Sequence, residues 1–473
     1  MKITIHAAPE NTKTILDLAE EQGISVPCNC HGANVCGGRQ YDFPCGLIPH
    51  SDITVSIPDK KRLTGIALAP ASDKSIPPDT LLIDLGTTTV AMVFYHSTAK
   101  TVFHSITFEN PQREYGADVI SRIKYDVEFH NDYALKERIR SKISKVFGDF
   151  NSSQRNLSIQ TCFIGGNTTM IHLLLGLPLN GMTGSPFTPH PYQDFSFSYN
   201  ETDIYILPWL SAFIGGDITA GLLSLDFDQR TDTCLLADLG TNGELALLHN
   251  GTVLTASAAA GPAFEGGGLS CGCPAVTGAV SDFVWNPVMP RLKTIGNKLP
   301  TGICGSGAIS ILSELIKHGF LLSSGVLADT FPVNGLRISK TPSSGDILFT
   351  AADVRQMQLA TAAIGAGIDT LCKQAHISVE QISRLYLAGG FGYHMDIEKA
   401  ARTGLFSNID TSQITSVGNS CLNGLAEISY RPDALSERVH HLQEQCLELV
   451  LADDEYFQKQ FIQHMTYDSV STR

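Results

Sequence analysis

Positive charge is scarce in this sequence: 33 Lys and Arg stand against 47 Asp and Glu, a net charge of −14. No basic tract offsets that balance, which excludes a duplex-coating nucleic-acid binder and a polybasic membrane-surface protein. Long apolar runs are also missing, so nothing of about 18 or more residues is available to span a bilayer. The opening MKITIHAAPE does not read as a signal peptide. These absences together predict a cytoplasmic protein without a nucleic-acid or membrane partner. What is there is the composition of an ordinary α/β enzyme, 473 residues with 43% hydrophobic side chains and 42 glycines, enough for roughly three domains. Twelve cysteines without an export signal are expected to be mostly reduced, and a tight group of them then marks a metal site rather than a disulfide framework. Four of them lie within residues 28–45.

The pattern along the chain divides it. ITIHA (3–7) reads as a strand, TKTILDLAEEQ (12–22) as an amphipathic helix stopped by Gly23, and SDITVSIP (51–58) as another strand after the cysteine segment. A Ser-, Pro- and charge-rich stretch follows, so residues 1–60 are expected to form one small domain and 61–80 a linker. From 81 on, apolar strands end in Gly/Thr turns and alternate with helical patterns to about residue 430. Within this part LLIDLGTTTVAMV (81–93) and CLLADLGTNGELALL (234–248) share one pattern: apolar run, Asp-Leu-Gly-Thr, second apolar run. That repeat predicts a duplicated, two-lobed α/β protein with lobes at 81–230 and 231–430. Helical spacing in ALSERVHHLQEQCLELVLADD gives a helical extension over 431–473.

Each Asp-Leu-Gly-Thr turn can offer backbone N–H and hydroxyl groups to a phosphate while its Asp reaches Mg²⁺ or the ion's waters. A single such turn is usually an ordinary hairpin; two of them can clamp a polyphosphate from both lobes. The residues are Asp84, Gly86, Thr87 and Thr88 in the first turn and Asp238, Gly240, Thr241 and Asn242 in the second. A third glycine-rich turn in RLYLAGGFG (384–392) would let a base and sugar approach the backbone closely.

In this order the three turns resemble the ATPases shared by actin, sugar kinases and heat-shock chaperones. Asp84, Asp238 and Gly389-Gly390 match that superfamily's two phosphate loops and its adenosine loop. In GGDITAGLLSLD (215–226), Asp217 falls where the chaperone ATPases carry an acidic residue that positions the attacking water; otherwise it would be a helix N-cap. NPQREYGADVISRI (110–123), IGGNTTM (164–170), AGPAFEGGGLSCG (260–272), GICGSGAISIL (302–312), DVRQMQLATAAIGAGI (353–368) and SVGNSCLNGLAEI (416–428) narrow the resemblance to the reductive activators of corrinoid proteins. It implies a two-lobed actin-like ATPase with duplicated ribonuclease H-like lobes, preceded by a small ferredoxin-like (β-grasp) domain. The family carries a Lys where this chain has Thr361, a position that faces the nucleotide's sugar in the related chaperones. Read from the residues alone, the glycine-rich segments could be mere loops or close packing, and MQLATAAIGAGI a tightly packed core helix.

Cys28, Cys30, Cys36 and Cys45 stand in VPCNCHGANVCGGRQYDFPCG, a density of soft donors that suits Fe–S or Zn. Against the C-x₅-C-x₂-C pattern of the resembled family, Cys30 and Cys36 fit, the third position is Arg39, and Cys45 matches the last ligand after a shortened stretch. Cys28 or His31 could supply the missing donor. A 2Fe–2S cluster, a Zn²⁺ ion and a metal-free remnant all remain open at this point. Cys162, Cys234, Cys304, Cys372, Cys421 and Cys446 sit in apolar patterns and read as core, as do Cys271 and Cys273 in their glycine-rich loop.

The resemblance implies an ATPase that drives one electron onto a cobalt(II) corrinoid, restoring cobalt(I), within an anaerobic methyltransferase system. ATP, Mg²⁺ and a 2Fe–2S cluster are the implied cofactors, a corrinoid protein and a low-potential electron donor the implied partners, and a homodimer the implied assembly. Gln112 and Asn167 are added as polar groups of the cleft. Two other readings compete: a small-molecule kinase on the same fold, in which the Cys-rich domain has no task, and an ATPase that binds a corrinoid protein without reducing it.

Overall fold

The computed structural model describes residues 2–15, 18, 48–56, 76–129, 133–154, 157–192, 196–199, 202–341, 345–391, 395–431 and 434–467. Cys28, Cys30, Cys36 and Cys45 lie outside them, as do His31, Arg39 and most of the helix expected over 12–22. Near the N-terminus β1 (Lys2–Ile5) pairs antiparallel with β2 (Ile53–Ser56), Ile5 opposite Ile53.

Two six-stranded sheets follow. In the first, β3 (Thr80–Leu85), β4 (Thr89–His96) and β5 (Thr101–Glu109) form an antiparallel meander. Helices α1 (Val119–Glu128) and α2 (Ala134–Ser153) lead to β6 (Thr161–Gly166), which lies parallel to β3. Beyond α3 (Thr168–Leu175), β7 (Ser196–Tyr199) and β8 (Thr202–Ile206) complete the order β5-β4-β3-β6-β8-β7, and α4 (Gly216–Ser224) closes the lobe. β3 is buried along nearly its whole length, as a central strand covered on both faces must be, which is why it reads as a continuous apolar run.

The second sheet repeats the plan. β9 (Cys234–Leu239), β10 (Gly243–His249) and β11 (Thr252–Ala258) form the meander. A small sheet of β12 (Ala279–Val284), β13 (Arg291–Thr294) and β14 (Gly302–Ile303) is inserted, then α5 (Gly305–Lys317). The hairpin β15 (Leu336–Thr341) and β16 (Gly345–Phe349) precedes α6 (Ala351–Gln374). β17 (Arg384–Ala388) lies parallel to β9; α7 (Ile397–Arg402), β18 (Ile414–Gly418) and α8 (Ser420–Ser429) follow. Reading β5-β4-β3-β6-β8 against β11-β10-β9-β17-β18 superposes the two lobes strand for strand, as the repeated motif predicts.

The C-terminal segment differs from its helical reading. α9 (Leu435–Gln445) ends before CLEL, which forms β19 (Cys446–Leu449) parallel to β11 as the sixth strand, and α10 (Glu455–Gln463) packs on α6. The four residues Cys446–Leu449 continue the helical spacing, but the open edge of β11 offers backbone partners that a prolonged helix would leave unmet. α6 is the core helix its small residues predict, opened by a Thr350/Asp353 capping box.

α4 and α8 pack face to face beneath the cleft. Their glycines permit the approach: a Cβ on Gly424 would stand 2.0 Å from the Ala220 carbonyl oxygen, and one on Gly221 2.8 Å from Ser420 Oγ.

Candidate functional site

The cleft between the lobes encloses about 550 Å³ and is floored by the C-terminal ends of β3 and β9 and the N-terminal ends of α4 and α8. All three turns singled out by sequence meet there: Asp84, Gly86, Thr87 and Thr88 from one wall, Asp238, Gly240, Thr241 and Asn242 from the other, and Gly389 with Gly390 at the end of β17. Asp217 and Asn167 line it too. One position is corrected. Gln112 is fully buried and its amide donates to the Leu135 carbonyl (2.9 Å), so it does not line the cleft. Thr361, which stands where the resembled family has Lys, is equally buried on α6, and its hydroxyl donates to the Gln358 carbonyl (3.2 Å). An Asn167 side chain that accepts from Thr169 N caps α3.

Both Asp-Leu-Gly-Thr turns are hairpin loops closed by their glycine N–H, which reaches three residues ahead in the first and two in the second. Gly86 N donates to Thr89 O (3.1 Å) and Gly240 N to Asn242 O (2.9 Å), so these two N–H groups are already used within the turns. The hydroxyls meet: Thr88 Oγ1 lies 3.1 Å from Thr241 Oγ1, and Thr241 Oγ1 donates to Glu265 Oε2 (3.0 Å). Gly389 has a φ of +93°, and a Cβ there would fall 2.5 Å from the Leu239 carbonyl oxygen, so only glycine brings the third turn this close to the second. No atom comes within 4 Å of where a Gly390 Cβ would be, which leaves its backbone open to a ligand.

The floor concentrates acid. Asp84 accepts from Asn419 Nδ2 (2.6 Å) and from the Cys421 thiol; Asp238 accepts from Ser420 Oγ (2.9 Å). Asp217 is not a helix cap: Gly215 occupies that position, and Asp217 in the first turn of α4 accepts from Ile218 N (2.9 Å). A Cβ on Gly215 would meet Gly166 O, Asn167 Cα and Asp217 Oδ1, which is how a Gly-Gly pair sets this carboxylate between the lobes. Burial, then the charge of Asp84, pushes Asp217 up to about 7; burial foremost raises Asp238 to about 6 and also raises Asp84. Glu244, opposite Asp238 in the β9/β10 register, is pushed well above the carboxylate range by burial and by Asp217 and Asp238.

Glu244, Glu265, Asn419, Ser420 and Cys421 are site residues that sequence reasoning missed as such. Alternation in GELALLH places Glu244 on the face of Asp238, a usable signal; Glu265 and the 419–421 group reach the cleft only through tertiary folding. Cys421 and Cys304 are buried as expected yet border the cleft. Among the described residues no three His, Cys, Asp or Glu side chains are gathered to hold an ion unaided. Asp84, Asp217, Asp238 and Glu244, each raised foremost by burial, instead gather carboxylate oxygens around one space, a donor set that fits a hydrated Mg²⁺.

A duplicated sheet with two Asp-Leu-Gly-Thr turns and a glycine turn around one interlobe cleft is the architecture of an actin-like ATPase. Residues 232–473 match the family described as the C-terminal domain of RACo, the ASKHA domain, and residues 80–230 match the RACo middle region. The chain belongs to the RACo family. It is 31% identical over 391 residues to the corrinoid activation enzyme RamQ of Eubacterium limosum, covering 76% of this chain and 65% of that protein. It is 28% identical over 288 residues to a Methanosarcina barkeri [Co(II) methylated amine-specific corrinoid protein] reductase, covering 56% and 52%. The matches thus span about two-thirds and about half of those relatives' lengths. A solved structure titled reductive activator for corrinoid,iron-sulfur protein superposes with a TM-score of 0.75 at 26% identity, over 99% of this chain and 78% of that one. Among the described residues no helix is long and apolar enough to cross a membrane.

Proposed function

We propose that this protein is an ATP-dependent reductive activator of a corrinoid protein, returning cobalt(II) to cobalt(I) in a methyltransferase system. The observation that supports it most is the cleft itself: two phosphate turns face each other across converging carboxylates in a chain of this family. ATP is the substrate of the cleft. Asp84 and Asp238 hold the waters of Mg²⁺, which neutralises phosphate charge when bound. Thr87, Thr88, Thr241 and Asn242 hold phosphate oxygens, Gly389-Gly390 admits the adenosine, and Asp217 aligns the attacking water. Each lobe contributes one turn, so ATP draws the lobes together, and that closure supplies free energy for an electron transfer that common cellular donors cannot drive.

Cys28, Cys30, Cys36 and Cys45, which lie outside the described residues, would hold a 2Fe–2S cluster, and that group would supply one-electron transfer from a low-potential donor. The partner is a corrinoid protein, the assembly a homodimer and the compartment the cytoplasm. Anaerobically purified protein, mixed with a cobalt(II) corrinoid protein and a low-potential reductant, should generate the cobalt(I) spectrum only with Mg·ATP. Equal reduction without ATP would refute the coupling. Iron and sulfide analysis of the same sample tests the electron path separately, and a preparation without either would remove it.

A further inference from the structure

The acid-rich cleft poses an electrostatic problem that its carboxylates cannot solve. Asp84, Asp118, Asp217, Asp238, Glu244 and Glu265 all line it, yet hydrolysis of a polyphosphate builds negative charge on the transferring group. Among the described residues the cleft lining contains one basic side chain, Arg113.

Its placement follows from the backbone. Asn110 N donates to Thr88 O and Asn110 Nδ2 to Gly86 O (both 2.9 Å), bolting the start of the 3₁₀ turn Pro111–Tyr115 to the first phosphate turn. Asn110 Oδ1 caps that turn by accepting from Gln112 N (3.0 Å), and buried Gln112 ties it to α2 through Leu135. Arg113 therefore stands one short turn from the phosphate loop on a segment anchored at both sides. Its guanidinium pairs with Glu109 at the end of β5, and both side chains are about one-fifth exposed. A second guanidinium is near: Arg122 is wholly buried, donates to Gly116 O and Met170 Sδ, and leaves Nη2 without a protein partner. Burial and the charge of Arg113 pull its proton affinity down. Arg113 is thus the cation at the cleft surface and the buried Arg122 stands behind it, so this side of an otherwise acidic cleft is where added negative charge is best accommodated.

We propose that Arg113 is a catalytic residue that donates to the γ-phosphoryl oxygens of ATP as the bond to the β-phosphate breaks. Glu109 holds the guanidinium in reach, and Arg122 raises the local potential behind it. In the reaction water adds to the γ-phosphorus, ADP leaves with the bridging oxygen, and the proton of the water goes to solvent or phosphate; Arg113 neither gains nor loses a proton. This rests on the proposed ATPase reading of the cleft.

The test is ATP hydrolysis and ADP affinity in full-length protein carrying Arg113→Ala, Arg113→Lys or, as a control, Arg138→Ala, which removes an exposed cation paired with Glu114 on the same segment. Arg113→Ala should lower kcat about 10²-fold or more while ADP affinity changes less than about threefold, Arg113→Lys should recover part of the rate, and Arg138→Ala should match wild type. A folded Arg113→Ala protein with near wild-type kcat overturns the proposal, as does an equal loss in ADP and ATP affinity at unchanged kcat. If Arg113→Ala does not fold, Arg113→Lys at the wild-type rate and affinity for both nucleotides overturns it just as well. Wild-type protein that hydrolyses no ATP would instead refute the underlying ATPase reading, so the two failures are separable.

Discussion

The two lobes share strand order and the Asp-Leu-Gly-Thr turn, yet they secure their aspartates by different chemistry. In the second lobe the helix after the last parallel strand begins with Ser420, whose hydroxyl donates to Asp238. In the first lobe the corresponding helix α4 carries Asp217 at the matching place, with Gly221 and Gly424 as the aligned crossing residues. A hydroxyl can satisfy a neighbouring carboxylate; an ionised carboxylate can only repel it. Asp84 is consequently held from across the cleft by Asn419, and Asp217 is left as a titratable acid near neutrality. One replacement in a duplicated scaffold separates a support from a group that can face water.

The strongest test of that symmetry is to remove each aspartate in turn. If both turns carry the metal's waters, Asp84→Ala and Asp238→Ala should each reduce Mg·ATP hydrolysis by about 10²–10³-fold, measured by phosphate release at saturating ATP. Wild-type turnover in Asp238→Ala would remove the second turn from the site and leave the lobes functionally unequal.

The acid–hydroxyl contrast should appear next. Asp217→Asn keeps the shape and loses the charge, so it should slow hydrolysis by about 10–10²-fold, whereas Ser420→Ala, which only loosens Asp238, should cost a few-fold at most. The reverse ranking would assign the more important role to the hydroxyl side.

How much of this was legible follows from the kind of interaction involved. The strand–turn–strand repeat and the glycine turn are local, and the residues flanking Asp84, Asp238 and Gly389 carry their geometry in sequence. Asp217 was reached through its motif, but its distinction from a helix cap needed Gly215 to be seen against Gly166 and Asn167. The position of Arg113 beside the cleft is not legible in NPQREYGADVISRI, because its tie to the first turn runs through Asn110 and Gly86, 24 residues apart. Cys446–Leu449 misled because helical spacing in a short segment loses to an unpaired sheet edge. The cysteine group was legible as a cluster of thiols and lies outside the described residues.

The crossing of α4 and α8 provides a smaller, structural comparison. A methyl at Gly424 meets the rigid Ala220 backbone, whereas one at Gly221 meets the movable Ser420 side chain. Gly424→Ala should therefore destabilise the protein by about 1–3 kcal/mol and Gly221→Ala by less, as read from chemical denaturation midpoints. Equal losses would show that the helices adjust as a unit.

The smallest effect expected is on stability against pH, and it isolates Asp217 from catalysis. Its folded-state value of about 7 lies above the unfolded carboxylate value of 3.8, so the folded chain binds the extra proton between those limits. The contribution of Asp217 to stability then falls as pH rises from about 4 to about 7, and stays reduced above that. Asp217→Asn has no proton to lose. In chelator and without nucleotide, its melting temperature should equal that of wild type near pH 4 and exceed it increasingly up to pH 7, a gain on the order of 1–2 kcal/mol after allowing for partial exposure. Ser420→Ala should show no such pH-dependent gain, since it removes a donor from Asp238 rather than an acid. Parallel pH profiles for wild type and Asp217→Asn would mean that Asp217 is ionised without cost in the empty cleft, and the contrast between the lobes would then be one of shape alone.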